Sequence, residues 1–175
     1  MNIFKFFIST LVIFFFFFNV IANAEKIVYI DMDKIMQLSK AGKTAIEKIN
    51  NKKKKDVNKF RKIEEDLKTQ EADLINKKNV LSSEEFNKKI ESLSKKINDY
   101  RKLRQEAIDS STKNRLNASA DFANKIKPIL AEYAGNNNID MVIQKKNIIM
   151  GKSSLDITNE ILKIVDNKIT NLKIN

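Results

Sequence analysis

Four apolar residues, Phe60, Leu67, Leu74 and Leu81, stand seven positions apart, and after a polar interval Phe86, Ile90, Leu93, Ile97 and Tyr100 follow in steps of four and three. Apolar positions recurring every 3.5 residues place a seam along one side of a helix and mark a coiled coil. Between the two runs lies Val80-Leu81-Ser82-Ser83-Glu84-Glu85-Phe86. Ser82 followed three residues later by Glu85 is a capping box, and a helix-start signal inside a helical stretch means that one helix has ended and another begins. The chain is therefore predicted to turn back near 79–83. The whole stretch 43–127 lacks glycine and proline. As one helix it would be ~130 Å long, and folded at its midpoint it makes a hairpin ~60 Å tall.

The flanks read differently. Lys26-Ile27-Val28-Tyr29-Ile30-Asp31-Met32 is rich in β-branched and aromatic residues and predicts a strand, after which Asp31 or Asp33 caps a helix. Ile35, Leu38, Ile46 and Ile49 continue that helix, with Gly42 as a tolerated soft point near its root. On the return path the register meets Arg104, Ala107 and Ser111, so the pairing is expected to be loose from Lys102 to Ala120. It tightens again with Phe122, Ile126, Ile129, Leu130 and Tyr133. Pro128 is expected to kink this segment, and Gly135 with Asn136, Asn137 and Asn138 to stop it. Ile139 to Lys145 and Ile148 to Met150 read as a β-hairpin across Lys146-Asn147. Ser153, Ser154 or Asp156 then caps a terminal helix with a stripe of Ile157, Ile161, Ile164 or Val165, and Ile169.

The fold class is α+β and mostly helical. Residues 43–128 form the α-hairpin arm, and 25–42 with 129–175 form a small β-containing body. So small a body buries little surface alone, which points to oligomerisation; three clustered bodies would hold three arms in parallel.

Composition adds a location and a charge. Lys5, the apolar run from Phe6 to Phe18 and Ala22-Asn23-Ala24 have the anatomy of a secretory signal peptide, residues 1–24, cleaved after Ala24. The apolar core is shorter than the ~20 residues that span a bilayer. Between 43 and 127 stand 23 basic and 14 acidic residues, so nearly all of the chain's formal net charge of +11 lies on the arm. Its complements are anionic lipid heads, acidic polypeptides or nucleic acid. Of 33 basic residues only Arg61, Arg101, Arg104 and Arg115 are arginine. Lysine is a point charge and arginine a bidentate fork, so the arm favours diffuse attraction over geometric recognition. The pairs Lys77-Lys78, Lys88-Lys89 and Lys95-Lys96 are the candidate contacts with a client or an anionic surface; the plainer reading is that they solvate the arm. The seam is chiefly the hairpin's own packing. Tyr29, Tyr100 and Tyr133 are assigned to packing too. With no cysteine and no histidine, thiol, zinc-type and Ser-His chemistry are excluded. No glycine-rich phosphate loop is present to bind ATP. The chain is read as no enzyme, and no cofactor is expected.

The order of elements resembles the Skp/OmpH family of periplasmic chaperones over nearly all of the chain after residue 24. The strings that carry the resemblance are Lys26-Ile27-Val28-Tyr29-Ile30-Asp31, Leu81-Ser82-Ser83-Glu84-Glu85-Phe86, Ile139-Asp140-Met141-Val142-Ile143 and Ser154-Leu155-Asp156-Ile157-Thr158-Asn159-Glu160-Ile161-Leu162. The resemblance implies a homotrimer with a small β-barrel body and three α-hairpin arms around a cavity, located in the periplasm. It implies an ATP-independent holdase whose partners are unfolded outer-membrane β-barrel proteins; anionic lipid or lipopolysaccharide is a further candidate from the arm's charge, and no lipid-binding site is carried over from the family. Two other readings stay open: a basic coiled coil binding nucleic acid or other polyanions without specific readout, and a structural spacer between envelope layers.

Overall fold

The computed structural model describes residues 25–174, and the signal-peptide expectation for 1–24 lies outside them. The elements in order are β1 (Ile27–Ile30), α1 (Met32–Leu38), α2 (Lys40–Asn76), α3 (Ser83–Asn136), β2 (Met141–Gln144) and α4 (Thr158–Lys168). Short 3-10 turns occupy Lys145–Asn147 and Ser153–Leu155. Helices α2 and α3 are the two limbs of the expected hairpin. With 54 residues, α3 is about 80 Å long at 1.5 Å per residue.

Strands β1 and β2 pair in parallel, Ile27 opposite Met141 and Ile30 opposite Gln144. This corrects the expected β-hairpin of Ile139–Lys145 with Ile148–Met150. The residues 145–147 form a 3-10 turn instead of a tight β-turn, and Ile149 and Met150 emerge fully exposed. Alternation identifies a strand but not its partner, and here the partner lies more than a hundred residues away. The register is fixed at its start by Lys26, whose amide donates to Asp140 Oδ2 at 2.7 Å while its carbonyl accepts from the Asp140 amide at 3.0 Å. Tyr29 adds a parallel bridge to Asp156, and its carbonyl accepts from the Ile157 amide at 3.0 Å.

Asp31 is the cap of α1, accepting from the Lys34 amide at 2.9 Å. The sequence predicts one helix through Gly42, but the backbone breaks at Ser39, which lies in an extended conformation between α1 and α2. Ser39 Oγ accepts from the Gly42 amide at 3.2 Å, and Asp166 of α4 accepts from the Lys40 amide at 2.7 Å. Both satisfy amides that the start of a helix leaves without partners. Gly42 is the point where the two helices touch. A Cβ added there would lie 1.7 Å from the Met36 carbonyl oxygen.

The body core gathers Val28 and Ile30 of β1, Ile35 of α1, Phe122, Ile126 and Ile129 of α3, and Ile161 and Val165 of α4 with Ile157 and Ile169 at its ends. The 161–165–169 stripe thus resolves in favour of Val165 over Ile164. No side chain at Ser153 or Ser154 caps α4; the Asp156 carboxylate accepts from the Thr158 amide at 3.0 Å. A second cluster, Ala45, Ile49 and Ala118, lies one step up the arm, and Leu172 and Ile174 pack against it. The tail after α4 is therefore a strap over the arm's root. Lys125 Nζ donates to the Asn171 carbonyl at 2.9 Å, and the Lys173 amide donates to Asp121 Oδ2 at 2.9 Å.

Helix α3 continues through Pro128 to Asn136, so the proline does not end it. The stop is made by Asn138 in the left-handed region, φ 50°, and not by Gly135, which lies inside the helix. The Ile139 amide donates to the Ala134 carbonyl at 3.0 Å, the long bond of a Schellman closure.

Candidate functional site: the cationic hairpin arm

The arm is built from the seam outward. At its tip the chain leaves α2 at Asn76, turns, and re-enters a helix with Ser82 as cap. The capping box is complete: Ser82 Oγ accepts from the Glu85 amide, and Glu85 Oε2 accepts from the Ser82 amide. Leu74 is buried beneath the turn, while Leu67, Leu81, Phe86, Leu93 and Ile97 are half-buried along the seam. Midway, the Phe60 and Tyr100 rings meet edge-on with centroids 6.0 Å apart. The Tyr100 hydroxyl donates to Glu64 across the hairpin. That hydrogen bond, helped by partial burial, holds the Tyr100 phenol above its ordinary pKa.

Three of the six lysines expected to act at the tip are engaged within the arm. Lys77 pairs with Asp73 at 2.7 Å, Lys88 with Glu84 at 2.8 Å, and Lys96 donates to Gln70 across the hairpin at 2.7 Å. Lys77, Lys89 and Lys96 line one shallow depression over Leu74 and Leu93. Lys78, Lys88 and Lys95 lie outside it. Exposed pairs of this kind are worth little, about 0–1 kcal/mol, so an incoming anion displaces them at small cost.

The structure adds apolar residues that seam counting passes over. Val80 is 82% exposed and Ile75 is 64% exposed, both beside the tip lysines. The available signal was their position: each is apolar where the seven-residue repeat asks for nothing. Below Tyr100 the limbs part over the first portion of the stretch expected to be loose, and an open cleft of about 460 Å³ lies between them. The expectation fails in its second portion, where Asn114 and Ala118 are buried and Ala118 packs with Ala45 and Ile49 because small side chains let the limbs approach. No helix among the described residues is long and apolar enough to cross a membrane.

The family described as Outer membrane protein (OmpH-like) matches residues 26–165. The chain belongs to the OmpH-like family. The match begins just before β1 and ends within α4, so it takes in the body and the whole arm and leaves out the strap. Among solved structures, a candidate OmpH-like outer membrane chaperone from Caulobacter crescentus CB15 superposes with a TM-score of 0.78. The superposition covers 87% of this chain and 90% of that one at 12% identity. At that identity the likeness is one of fold, and it confirms the helical hairpin on a small sheet as the OmpH-like architecture. No curated protein sequence matches the chain.

Proposed function

We propose that this OmpH-like protein is a periplasmic holdase that keeps unfolded outer-membrane β-barrel proteins soluble without nucleotide. Membership of the OmpH-like family supports the outer-membrane chaperone role. The observation that carries the finer reading is the arm itself. It is a long cationic hairpin whose seam is only half-buried and which leaves Ile75, Val80, Val57 and Ile108 uncovered. Weak apolar contacts spread over a positive surface hold a chain at many points without ordering it. A client held in this way keeps much of the conformational entropy that tight binding would remove.

The body supports association of copies. Ile27, Leu38, Met141, Ile149 and Met150 are apolar and exposed on it, with Ile27 and Met141 paired in the sheet, and large apolar side chains left uncovered on so small a core suit a contact with other chains. Three bodies covering one another there would set three arms around a cavity, the division being 25–42 with 129–175 for the body and 43–128 for the arm. Cleavage after Ala24 would deliver the chain to the periplasm. The tip lysines would face an acidic client segment or the headgroups of anionic lipid, lipopolysaccharide included.

The test is direct. The mature protein, at one trimer per client, is expected to flatten the turbidity rise when a denatured outer-membrane β-barrel is diluted from denaturant without nucleotide. An unchanged turbidity curve rejects the holdase. A solution mass of one copy removes the cavity.

A further inference from the structure

The chain is poor in arginine, with four among 33 basic residues, yet two of the four, Arg104 and Arg115, line the cleft below Tyr100. Its floor is apolar. Val57 and Phe60 come from α2 and Ala107 and Ile108 from α3, and Val57 and Ile108 are 54% and 52% exposed because the splayed limbs leave nothing between them. Lys53 joins the two arginines at the rim, against the single carboxylate of Asp56. Arg104 reaches Glu64 only at 3.6 Å, and among the described residues Arg115 and Lys53 form no ion pair.

We propose that this cleft is a client-anchoring subsite that takes a large apolar side chain together with the carboxylate of a neighbouring residue in an extended polypeptide. The proposal rests on the holdase reading and names the kind of client segment that the arm selects. The apolar floor buries the side chain, and arginine's planar fork meets a carboxylate with two parallel hydrogen bonds where lysine offers only a point charge. At about 460 Å³ the space is within the range of sites that hold small ligands, ~300–1,000 Å³. The shape favours a polypeptide over an acyl amphiphile. The apolar floor at 57–60 and 107–108 runs for only about one helical turn, ~5 Å, and is flanked by charged and hydroxyl side chains, which suits one apolar side chain with polar neighbours better than an unbroken acyl chain. Ser111 and Thr112 lie on the same wall, and a hydroxyl both donates to and accepts from a passing backbone. Each such contact is weak and exposed to salt. Copies of the cleft on several arms would hold one client by raising the local concentration of the next contact.

The experiment uses the mature protein and three labelled peptides of glycine and serine that carry Phe-Asp, Phe-Lys or Ser-Asp at the centre, read by fluorescence anisotropy. Phe-Asp is expected to bind about three- to fivefold more tightly than Phe-Lys, the range of one exposed charge pair, and by at least as much over Ser-Asp, which leaves the apolar floor unfilled. Arg115→Glu takes the charge lining the cleft from +2 to 0 and is expected to abolish the preference for Phe-Asp over Phe-Lys, and Ala107→Trp, which fills the floor, to weaken all Phe peptides alike. Arg115 is exposed, so the loss of preference does not depend on a core position. Equal binding of the three peptides by the unaltered protein overturns the subsite, and so does an undiminished preference in Arg115→Glu. If laurate below its micellar concentration displaces Phe-Asp and the apolar residue makes no difference, the cleft is an amphiphile site and the proposal fails. Suppression of client aggregation is measured on the same samples. Suppression without peptide preference sinks the subsite and leaves the holdase standing, whereas no suppression by the unaltered protein sinks the holdase itself.

Discussion

The α-carbon of Gly42 faces the backbone carbonyl of Met36 so closely that a methyl group there would sit 1.7 Å from the oxygen. The contact sets how α1 crosses the start of α2, with Ser39 as the extended joint. Because the obstacle is backbone, it cannot swing aside as a side chain would. Gly42→Ala is expected to cost about 1–3 kcal/mol or more, as overpacking does, and to lower Tm by several degrees. Melting followed by circular dichroism checks this. A Tm equal to that of the unaltered protein would show that α1 shifts freely.

Tyr100 binds the two limbs of the arm through its hydroxyl as well as its ring. Its phenol is raised above the ordinary value first by the hydrogen bond to Glu64 and then by burial. A raised pKa means that the folded arm holds the proton more tightly than the unfolded chain. The contribution is therefore fully present below the ordinary phenol pKa and is lost as pH rises through the raised one. Absorbance titration in a Tyr29→Phe, Tyr133→Phe background is expected to show Tyr100 ionising above the ordinary tyrosine range. Tyr100→Phe should leave the edge contact with Phe60 in place while abolishing the alkaline weakening.

Asp121 fastens the strap. Its carboxyl is held below the ordinary value first by the hydrogen bond from Lys125, at 2.9 Å, and then by that from the Lys173 amide. A depressed pKa gives the opposite sign. The stabilisation is present above the unfolded carboxyl pKa and is lost as pH falls through the folded one. Hydrogen exchange at residues 170–174 is expected to accelerate in acid before the body does, and Asp121→Asn should produce the same loosening at neutral pH. Protection that persists in Asp121→Asn would assign the strap to Leu172 and Ile174 packing alone.

The tip lysines can be tested as a set. Reversing Lys77, Lys78, Lys88 and Lys89 to Glu should weaken binding to anionic vesicles and to unfolded clients, most strongly at low salt. Turbidity and vesicle co-sedimentation read the two effects separately. Indifference to the reversal would reduce these lysines to solubility.

What could be read from the sequence was local. The turn at Ser82 and Glu85 was visible because both partners of the capping box lie within three residues, and the seam because its period repeats. The opening after Lys102 was visible for the same reason, but not its early end at Asn114 and Ala118, where a polar and a small residue are buried. The break at Ser39 was not, because it is decided by Gly42 against Met36, a contact between two helices that read as one. Parallel pairing of Ile27 with Met141 was hidden by distance along the chain, and Ile148–Met150 looked like a strand for want of a third dimension. The helix stop was read from residue type across Gly135 to Asn138, and it falls at the far end of that run, where Asn138 takes the left-handed conformation. For the cleft, counting showed that the seam was thin but not that arginines from a return helix would border the gap.

A parallel pair cannot be joined by a tight turn and needs a long crossover between its strands; here that crossover is the entire projecting limb. Both of its feet are moored side by side where Lys26 meets Asp140. The entropy of closing such an excursion grows only with the logarithm of its length. Matched heptads inserted into the outgoing and incoming helices would therefore push the tip outward while the mooring stayed put. Reach and anchorage are separable quantities in this architecture, so one can be lengthened to suit bulkier cargo without redrawing the other.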